Sequence, residues 1–365
     1  MTLDEFLISP AVELPKQRKD DLTFHAFLHK IFLEYTKAVS GLGDDDVVCR
    51  NVKSALPEIK SAMRYLEKSV LKYLQGFPHA AYDQLEKATG KLDPSLQSLK
   101  LQVGDSASIR VFERLYRIRL AKLAEFKRRD LFHVPFELRH CVSTQRYSIS
   151  GLPSLYLAGS LWCCWEELQR PDFHEIQMAR FRYSSPMTLL DFGFRPSVLN
   201  RLRPTYIGDA LLTSYLVCWP LLAACSIRVL YPGMPFIPEY IVPQLLLQWV
   251  RNEASLDGLR YFSTKINQDG HSPWAAMNYV FPVQEQSDKG FCPKLKDKFC
   301  LSAPCAWSIV TRSNFVDVAM RPDPWQIPVN EDRSISYFNT EFFECEQKLE
   351  GLTCDRVDVS KTQFA

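Results

Sequence analysis

The run TQRYSISGLPSLYLAGSLWCCWEEL, Thr144 to Leu168, holds the residues that decide both fold and chemistry in this chain. Gly151-Leu-Pro153 is a turn signal, and Leu155-Tyr-Leu-Ala158 after it reads as a short apolar strand. Ser160 can then cap a helix over Leu161–Leu168, its side-chain oxygen accepting a free backbone N–H. Leu161, Cys164, Trp165 and Leu168 form the apolar face of that helix. Glu167 falls at the edge of the face, and Glu166 points away from it. Upstream, Leu115-Tyr-Arg-Ile-Arg-Leu120 alternates with a period of two. A strand there puts Arg117 and Arg119 on one face and Tyr116, Ile118 and Leu120 on the other. With Arg146 at a strand end, two guanidiniums, the Tyr156 phenol and the Glu167 carboxylate come from about fifty residues.

Working outward, the first hundred residues read as helical. Phe24, Phe27, Leu28, Ile31, Phe32 and Tyr35 line one helix face, and Leu56, Ile59, Met63, Leu66 and Val70 line a second. The second helix is expected to stop near Gly76-Phe-Pro78. Tyr82 and Leu85 start a short third, and Gly90–Leu99 reads as a connector. Beyond residue 105 short apolar runs alternate with Gly, Pro and Ser breaks, the texture of a mixed α and β domain. Strands are expected at Ile227–Leu230, Leu259–Phe262 and Tyr279–Phe281, and a helix over Tyr240–Val250. The partition expected is a helical domain at 1–105, a catalytic domain at 106–310 and an extension at 311–365.

Composition narrows the class. The chain has 365 residues, 46% hydrophobic and 12% aromatic, enough for a packed core. A formal net charge of +2 gives no global field for nucleic acid or anionic membrane, so neither is expected as a partner. Eleven cysteines without the even spacing of a disulfide scaffold, and no apolar leader, point to reduced thiols in the cytoplasm. Cys292, Cys300, Cys305, Cys345 and Cys354 contain no C-x2-C pair, so no metal is expected. The uncharged run Ala210–Ile227 approaches the length of a membrane span. Trp219-Pro220 interrupts it and Asp209 and Arg228 bracket it, which favours a buried helix. Arg18 and His25 have the Arg-x6-His spacing of some ribonucleases, but at the wrong end of a bundle. No GxGxxG, P-loop, HExxH or GxSxG motif occurs.

Each candidate residue alone has a plain structural explanation. Alternating arginines are ordinarily a solvated strand face, a tyrosine in LYLA is ordinarily core, and Glu166-Glu167 is ordinarily surface charge. Their joint spacing is what resembles the RES-domain family. Arg146-Tyr147-Ser148, the strand Leu155–Ala158 and Glu167 follow the family's arginine-aromatic-polar triplet, LYLA strand and glutamate helix. Arg117 matches the family's earlier strand arginine and Ser263 its later serine, with Asn278 and Pro282 after it. Two departures stand out: Val142-Ser-Thr-Gln145 replaces a glycine-rich lead-in, and Phe262-Ser-Thr264 replaces Pro-Ser-Ala. The resemblance covers about residues 110–285.

That resemblance implies an α+β fold, with a helical N-terminal domain before a mixed core related to the ADP-ribosyltransferases. It also implies an enzyme that consumes NAD as substrate, of the kind used as a bacterial toxin or phage-defence effector. Cleaving the nicotinamide–ribose bond passes through an oxocarbenium-like state, which a carboxylate stabilises. Glu167 would hold the ribose, Tyr156 would stack on the nicotinamide end, and Ser263 would hydrogen-bond it. Arg117 and Arg146 would clamp the pyrophosphate. Water as acceptor makes a glycohydrolase and phosphate a phosphorylase. A macromolecular acceptor makes a mono-ADP-ribosyltransferase, and a degenerate scaffold would be an interaction module. Residues 1–105 could bind an antitoxin or regulator, or pair with a second copy.

Overall fold

In the computed structural model the described residues are 1–19, 22–105, 114–121, 126–204, 208–266, 273–312, 326–328 and 334–358. The helices in chain order begin with α1 (Leu3–Leu7), α2 (Phe24–Ser40), α3 (Val47–Ser54), α4 (Leu56–Leu74) and α5 (Pro78–Ser98). Next come α6 (Leu161–Glu167), α7 (Pro196–Leu202), α8 (Gly208–Val217), α9 (Trp219–Cys225) and α10 (Ile241–Asn252). The last are α11 (Pro293–Lys298), α12 (Trp307–Arg312) and α13 (Glu341–Glu350). The strands start with β1 (Lys100–Val103), β2 (Leu115–Leu120), β3 (Ser154–Ala158), β4 (Ile176–Tyr183), β5 (Met187–Phe192) and β6 (Gly258–Phe262). After them run β7 (Met277–Pro282), β8 (Phe299–Ser302), β9 (Cys305–Ala306), β10 (Gln326–Pro328), β11 (Ser334–Ser336) and β12 (Cys354–Asp355). The fold is α+β with a helical N-terminal region.

The chain forms two compact units, each built from three separated segments. One comprises residues 1–101, 143–150 and 190–259; the other comprises 102–142, 151–189 and 260–365. A linear division at 105 and 310 therefore does not describe them. Residues 190–259 are mostly helical and apolar, and they join the N-terminal helices rather than the strands that precede and follow them.

The helical unit is held by the amphipathic faces the sequence displays. Phe24, Phe27, Leu28, Ile31, Phe32 and Tyr35 are all buried on α2, as are Ile59, Met63, Leu66 and Val70 on α4. Gly76, at φ +85°, ends α4 in a Schellman turn: its N–H bonds Tyr73 O and that of Phe77 bonds Lys72 O. Helix α5 is longer than its residues suggest. It runs straight through Gly90 and Pro94, where a connector is expected, because Leu85, Ala88, Thr89, Leu92 and Leu96 make a buried stripe. Tertiary packing there overrides the poor helix propensity of glycine and proline.

The apolar run 210–227 is two helices, α8 and α9, bent by 61° and largely buried. No single described helix is long and apolar enough to cross a membrane. Trp219 stacks flat on Tyr35 at 4.0 Å, and its indole N–H donates to Val12 O at 2.8 Å. The strand expected at Ile227–Leu230 is reduced to an isolated bridge between Arg228 and Gln17.

The second unit is organised on a sheet in the order β6-β7-β3-β2-β4-β8-β12, antiparallel from β7 to β12, with β9 also antiparallel on β4. Tyr116 lies opposite both Ala158 and Arg180, and Asn278 lies opposite Ala158. Directly opposed residues of antiparallel strands share a face. Tyr116, Ile118, Ala158 and Met178 therefore form one surface, which packs with Leu161–Cys164 of α6 and with Phe343, Cys345 and Leu349 of α13. Trp165, Phe173 and Trp307 stack in series beside it. The small β10–β11 ladder is antiparallel.

Candidate active site

Helix α6 places Glu167. Ser160 caps its start by accepting the N–H of Cys163 at 3.0 Å, and donates to Ala275 O at 2.5 Å. Glu346, fully buried on α13, accepts the Leu161 N–H at 2.7 Å and the Tyr337 hydroxyl. Burial pushes the Glu346 carboxyl up to about 7. Just before the cap, Gly159 donates to Met277 O. A Cβ at Gly159 would lie 2.9 Å from the Trp274 carbonyl oxygen, so the turn into α6 requires glycine to lie this close to the Pro273–Ala276 turn before β7. The other end of α6 stops abruptly. Gln169 and Arg170 both adopt left-handed backbone, at φ 65° and 57°, which costs on the order of 1–2 kcal/mol per non-glycine residue.

At that end the Glu167 side chain meets three partners from other elements. Ser263 Oγ, just after β6, donates to Glu167 Oε1 at 2.7 Å. Asn278 Nδ2, on β7, donates to the same oxygen at 2.8 Å. Lys265 Nζ lies 3.2 Å from Oε2 and also bonds the Glu167 main-chain oxygen at 2.5 Å, a carbonyl left over at the helix end. The donors are themselves oriented. Ser263 Oγ accepts the Lys265 N–H at 3.2 Å, and Asn278 Oδ1 accepts the Cys163 thiol at 3.4 Å. Burial, then Glu167, push the Cys163 thiol pKa well up, so it stays protonated and a donor. Ser263 and Asn278 are buried, while the Glu167 side chain keeps a third of its surface open. The arrangement is a carboxylate with one oxygen locked and an open edge, beside the half-exposed Lys265 amine.

Tyr156 faces Val280 across the β3–β7 ladder, two residues from the Ala158–Asn278 pair. It therefore stands on the Asn278 face, as a diagonal neighbour of that residue. Glu166 is held away from the cluster, accepting Trp162 Nε1 at 3.2 Å and pairing with Arg170 at 3.0 Å.

The two arginines fare differently. Arg117 lies on the face of β2 opposite Tyr116, where its guanidinium donates to Phe132 O at 3.1 Å. Among the described residues no hydrogen bond or ion pair joins it to Glu167. Beside it, His133 is buried among Phe132, Phe136 and Phe291. His133 Nε2 accepts the Cys292 N–H at 2.9 Å and Nδ1 faces Val134 O at 2.8 Å, which fixes the neutral tautomer. Burial pushes His133 down to about 4. Arg146 belongs to the helical unit and sits in irregular backbone, not at a strand end. Its guanidinium donates to Cys225 O and Ile227 O and covers the Tyr240 ring at 5.3 Å. The Thr144–Leu168 stretch is thus shared between the units, 143–150 going to one and 151–168 to the other.

Sequence reasoning names Glu167 and Ser263, which the structure brings into contact, but leaves Lys265 and Asn278 without a role at Glu167. Asn278 is visible in advance only through its place in the RES-like pattern. Nothing in the sequence marks Lys265, whose position beside Glu167 arises from the turn after β6.

An α+β chain whose helix-borne carboxylate is fixed by a serine and an asparagine from neighbouring strands is the class that fold and site define. The chain is 31% identical over 305 residues to a Bacillus subtilis (strain 168) protein named "Putative toxin YopC", covering 81% of this chain and 68% of that one. It belongs to the YopC family. No described family profile and no solved structure matches the chain.

Proposed function

We propose that the chain is a toxin that consumes NAD by cleaving the nicotinamide–ribose bond, with Glu167 as the catalytic carboxylate. The observation that carries this reading is the Glu167 cluster: Ser263 and Asn278 bind one oxygen at 2.7 and 2.8 Å and leave an edge of the carboxylate open. A carboxylate held in advance by fixed donors is suited to stabilise a ribosyl oxocarbenium as it develops, because no reorganisation is needed at the moment of reaction. An interaction module descended from such a site has no need to keep the carboxylate accessible. Lys265, within reach of Glu167, can turn its ammonium to a substrate phosphate, and Tyr156 on the Asn278 face offers a ring for stacking. Arg117 and Arg146 are anion binders only as the RES resemblance implies, and both guanidiniums donate to backbone carbonyls. The proposal rests on the Glu167 cluster and not on them. The toxic role is supported by the name of the Bacillus relative.

The test is NAD turnover by the purified protein, with and without inorganic phosphate, for wild type and Glu167→Gln. Expected is nicotinamide release that falls at least about a thousandfold in the variant, the scale of losing a major electrostatic contribution. A requirement for phosphate would mark a phosphorylase, and indifference to it a glycohydrolase. Intact NAD with both proteins overturns the reading. For the toxic role, induced expression in a bacterial host should arrest growth with wild type and not with Glu167→Gln.

A further inference from the structure

We propose that Cys300 and Cys354 are a redox-modification site, a dithiol that hydrogen peroxide converts to a disulfide tethering the end of α13 to the sheet. The proposal is independent of the reading of Glu167.

Geometry is the first argument. Strands β8 and β12 pair antiparallel with Cys354 opposite Ser302 and Asp355 opposite Leu301. Residues two apart on a strand share a face, so Cys300 shares a face with Ser302 and therefore with Cys354. The two thiols are diagonal cross-strand neighbours on that face, and they lie close enough for their side chains to share a hydrogen bond. Both are reduced and both are only partly buried.

The surroundings supply the second argument. Cys300 lies opposite Arg182 in the β4–β8 register. The Cys354 thiol above all, with Ser184 and Arg182 contributing, holds the Cys300 thiol down to about 6, whereas Cys354 is raised. A thiol drawn towards its thiolate by its neighbours, in contact with a second thiol, is what attack on peroxide and resolution to a disulfide need. The buried cysteines show the opposite behaviour: burial raises Cys163, Cys164, Cys218 and Cys225.

The chemistry balances with peroxide as oxidant. The Cys300 thiolate attacks one peroxide oxygen; the S–O bond forms, the O–O bond breaks and hydroxide leaves. The Cys354 sulfur then attacks the sulfenic sulfur, the S–S bond forms, and the oxygen departs as water with the thiol proton. Two thiols lose two electrons in all and peroxide becomes two waters; a dithiol reductant reverses the change. The bridge would fall four residues after α13 ends at Glu350, and α13 carries the Glu346 that accepts the Leu161 N–H at the start of α6. Oxidation would thereby pin the helix that anchors the Glu167 helix.

The purified protein is treated with hydrogen peroxide, remaining thiols are alkylated, and peptides are identified by mass spectrometry, with the exposed Cys141 as the control for an accessible thiol. Expected is a Cys300–Cys354 linked peptide pair lighter by two hydrogens than its reduced parts, absent from Cys300→Ser and from Cys354→Ser. The linkage should revert with dithiothreitol and raise the thermal midpoint above that of the reduced protein. If both cysteines stay fully alkylatable once Cys141 is oxidised, the proposal is wrong. It is equally overturned if either cysteine links to another thiol instead.

Discussion

Ser263 Oγ donates a 2.7 Å hydrogen bond to Glu167 Oε1 across 96 residues of chain. The bond joins the end of a short helix to the turn after a strand, and Asn278 shares the same acceptor oxygen. Two neutral donors on one oxygen leave the other oxygen to Lys265 and to whatever enters from the open side.

Ser263→Ala should slow the proposed NAD cleavage roughly 10- to 100-fold, since a hydrogen bond to a charged group contributes about 1.5–3 kcal/mol. The loss should appear in kcat with KM little changed, because the hydroxyl orients the carboxylate. Steady-state kinetics decides it: a Ser263→Ala enzyme within twofold of wild type removes the serine from the site.

Gln169→Gly should stabilise the protein by about 0.5–1 kcal/mol, because glycine adopts the left-handed backbone at φ 65° without a Cβ clash. Urea unfolding measures this. If a glycine there lowers stability, the turn after Glu167 holds no strain.

Two buried groups give opposite pH dependences. His133 has a folded pKa of about 4 against an ordinary 6.5, so its neutral form contributes stability that is complete above pH 6.5 and lost as pH falls towards 4. Glu346 has a folded pKa of about 7 against 4.5, so its protonated form contributes stability that is complete below pH 4.5 and lost as pH rises through 7. Each amounts to about 3 kcal/mol at most. The two slopes should nearly cancel between pH 4.5 and 6.5 in the wild type. Glu346→Gln should unmask a stability that rises with pH, and His133→Asn one that falls. Unfolding curves across this range check the signs, and variants with the same slope as wild type would contradict both assignments.

Trp219→Ala should cost about 3–5 kcal/mol, the range for deleting a large buried aromatic. The indole is fully buried, stacked on Tyr35 and bonded to Val12 O. A thermal midpoint unchanged by the substitution would mean that α9 is not part of the helical core.

The local elements were readable because their signals are local. The alternation of Leu115–Leu120, the Ser160 cap and the apolar faces of α2 and α4 each arise from side-chain periodicity or one short-range hydrogen bond. Helix α5 was obscured because Gly90 and Pro94 signal a break, and only the long-range burial of Leu92 and Leu96 shows that the helix continues. Segment 143–150 is illegible for a related reason: the adjacency of Arg146 to Tyr156 in the chain says nothing about which compact unit each joins.

What the sequence by itself determined is the α+β class and the strand–cap–helix that presents Glu167; Ser263 is named only through the RES resemblance, and for the nicotinamide end rather than for Glu167. The tertiary structure alone decided that Ser263, Asn278 and Lys265 close on that carboxylate, that Arg117 points from the other face of β2, and that residues 190–259 belong with the N-terminal helices. Sheet order and the assignment of segments to cores depend on burying apolar surface from remote parts of the chain. No window of neighbouring residues encodes that choice.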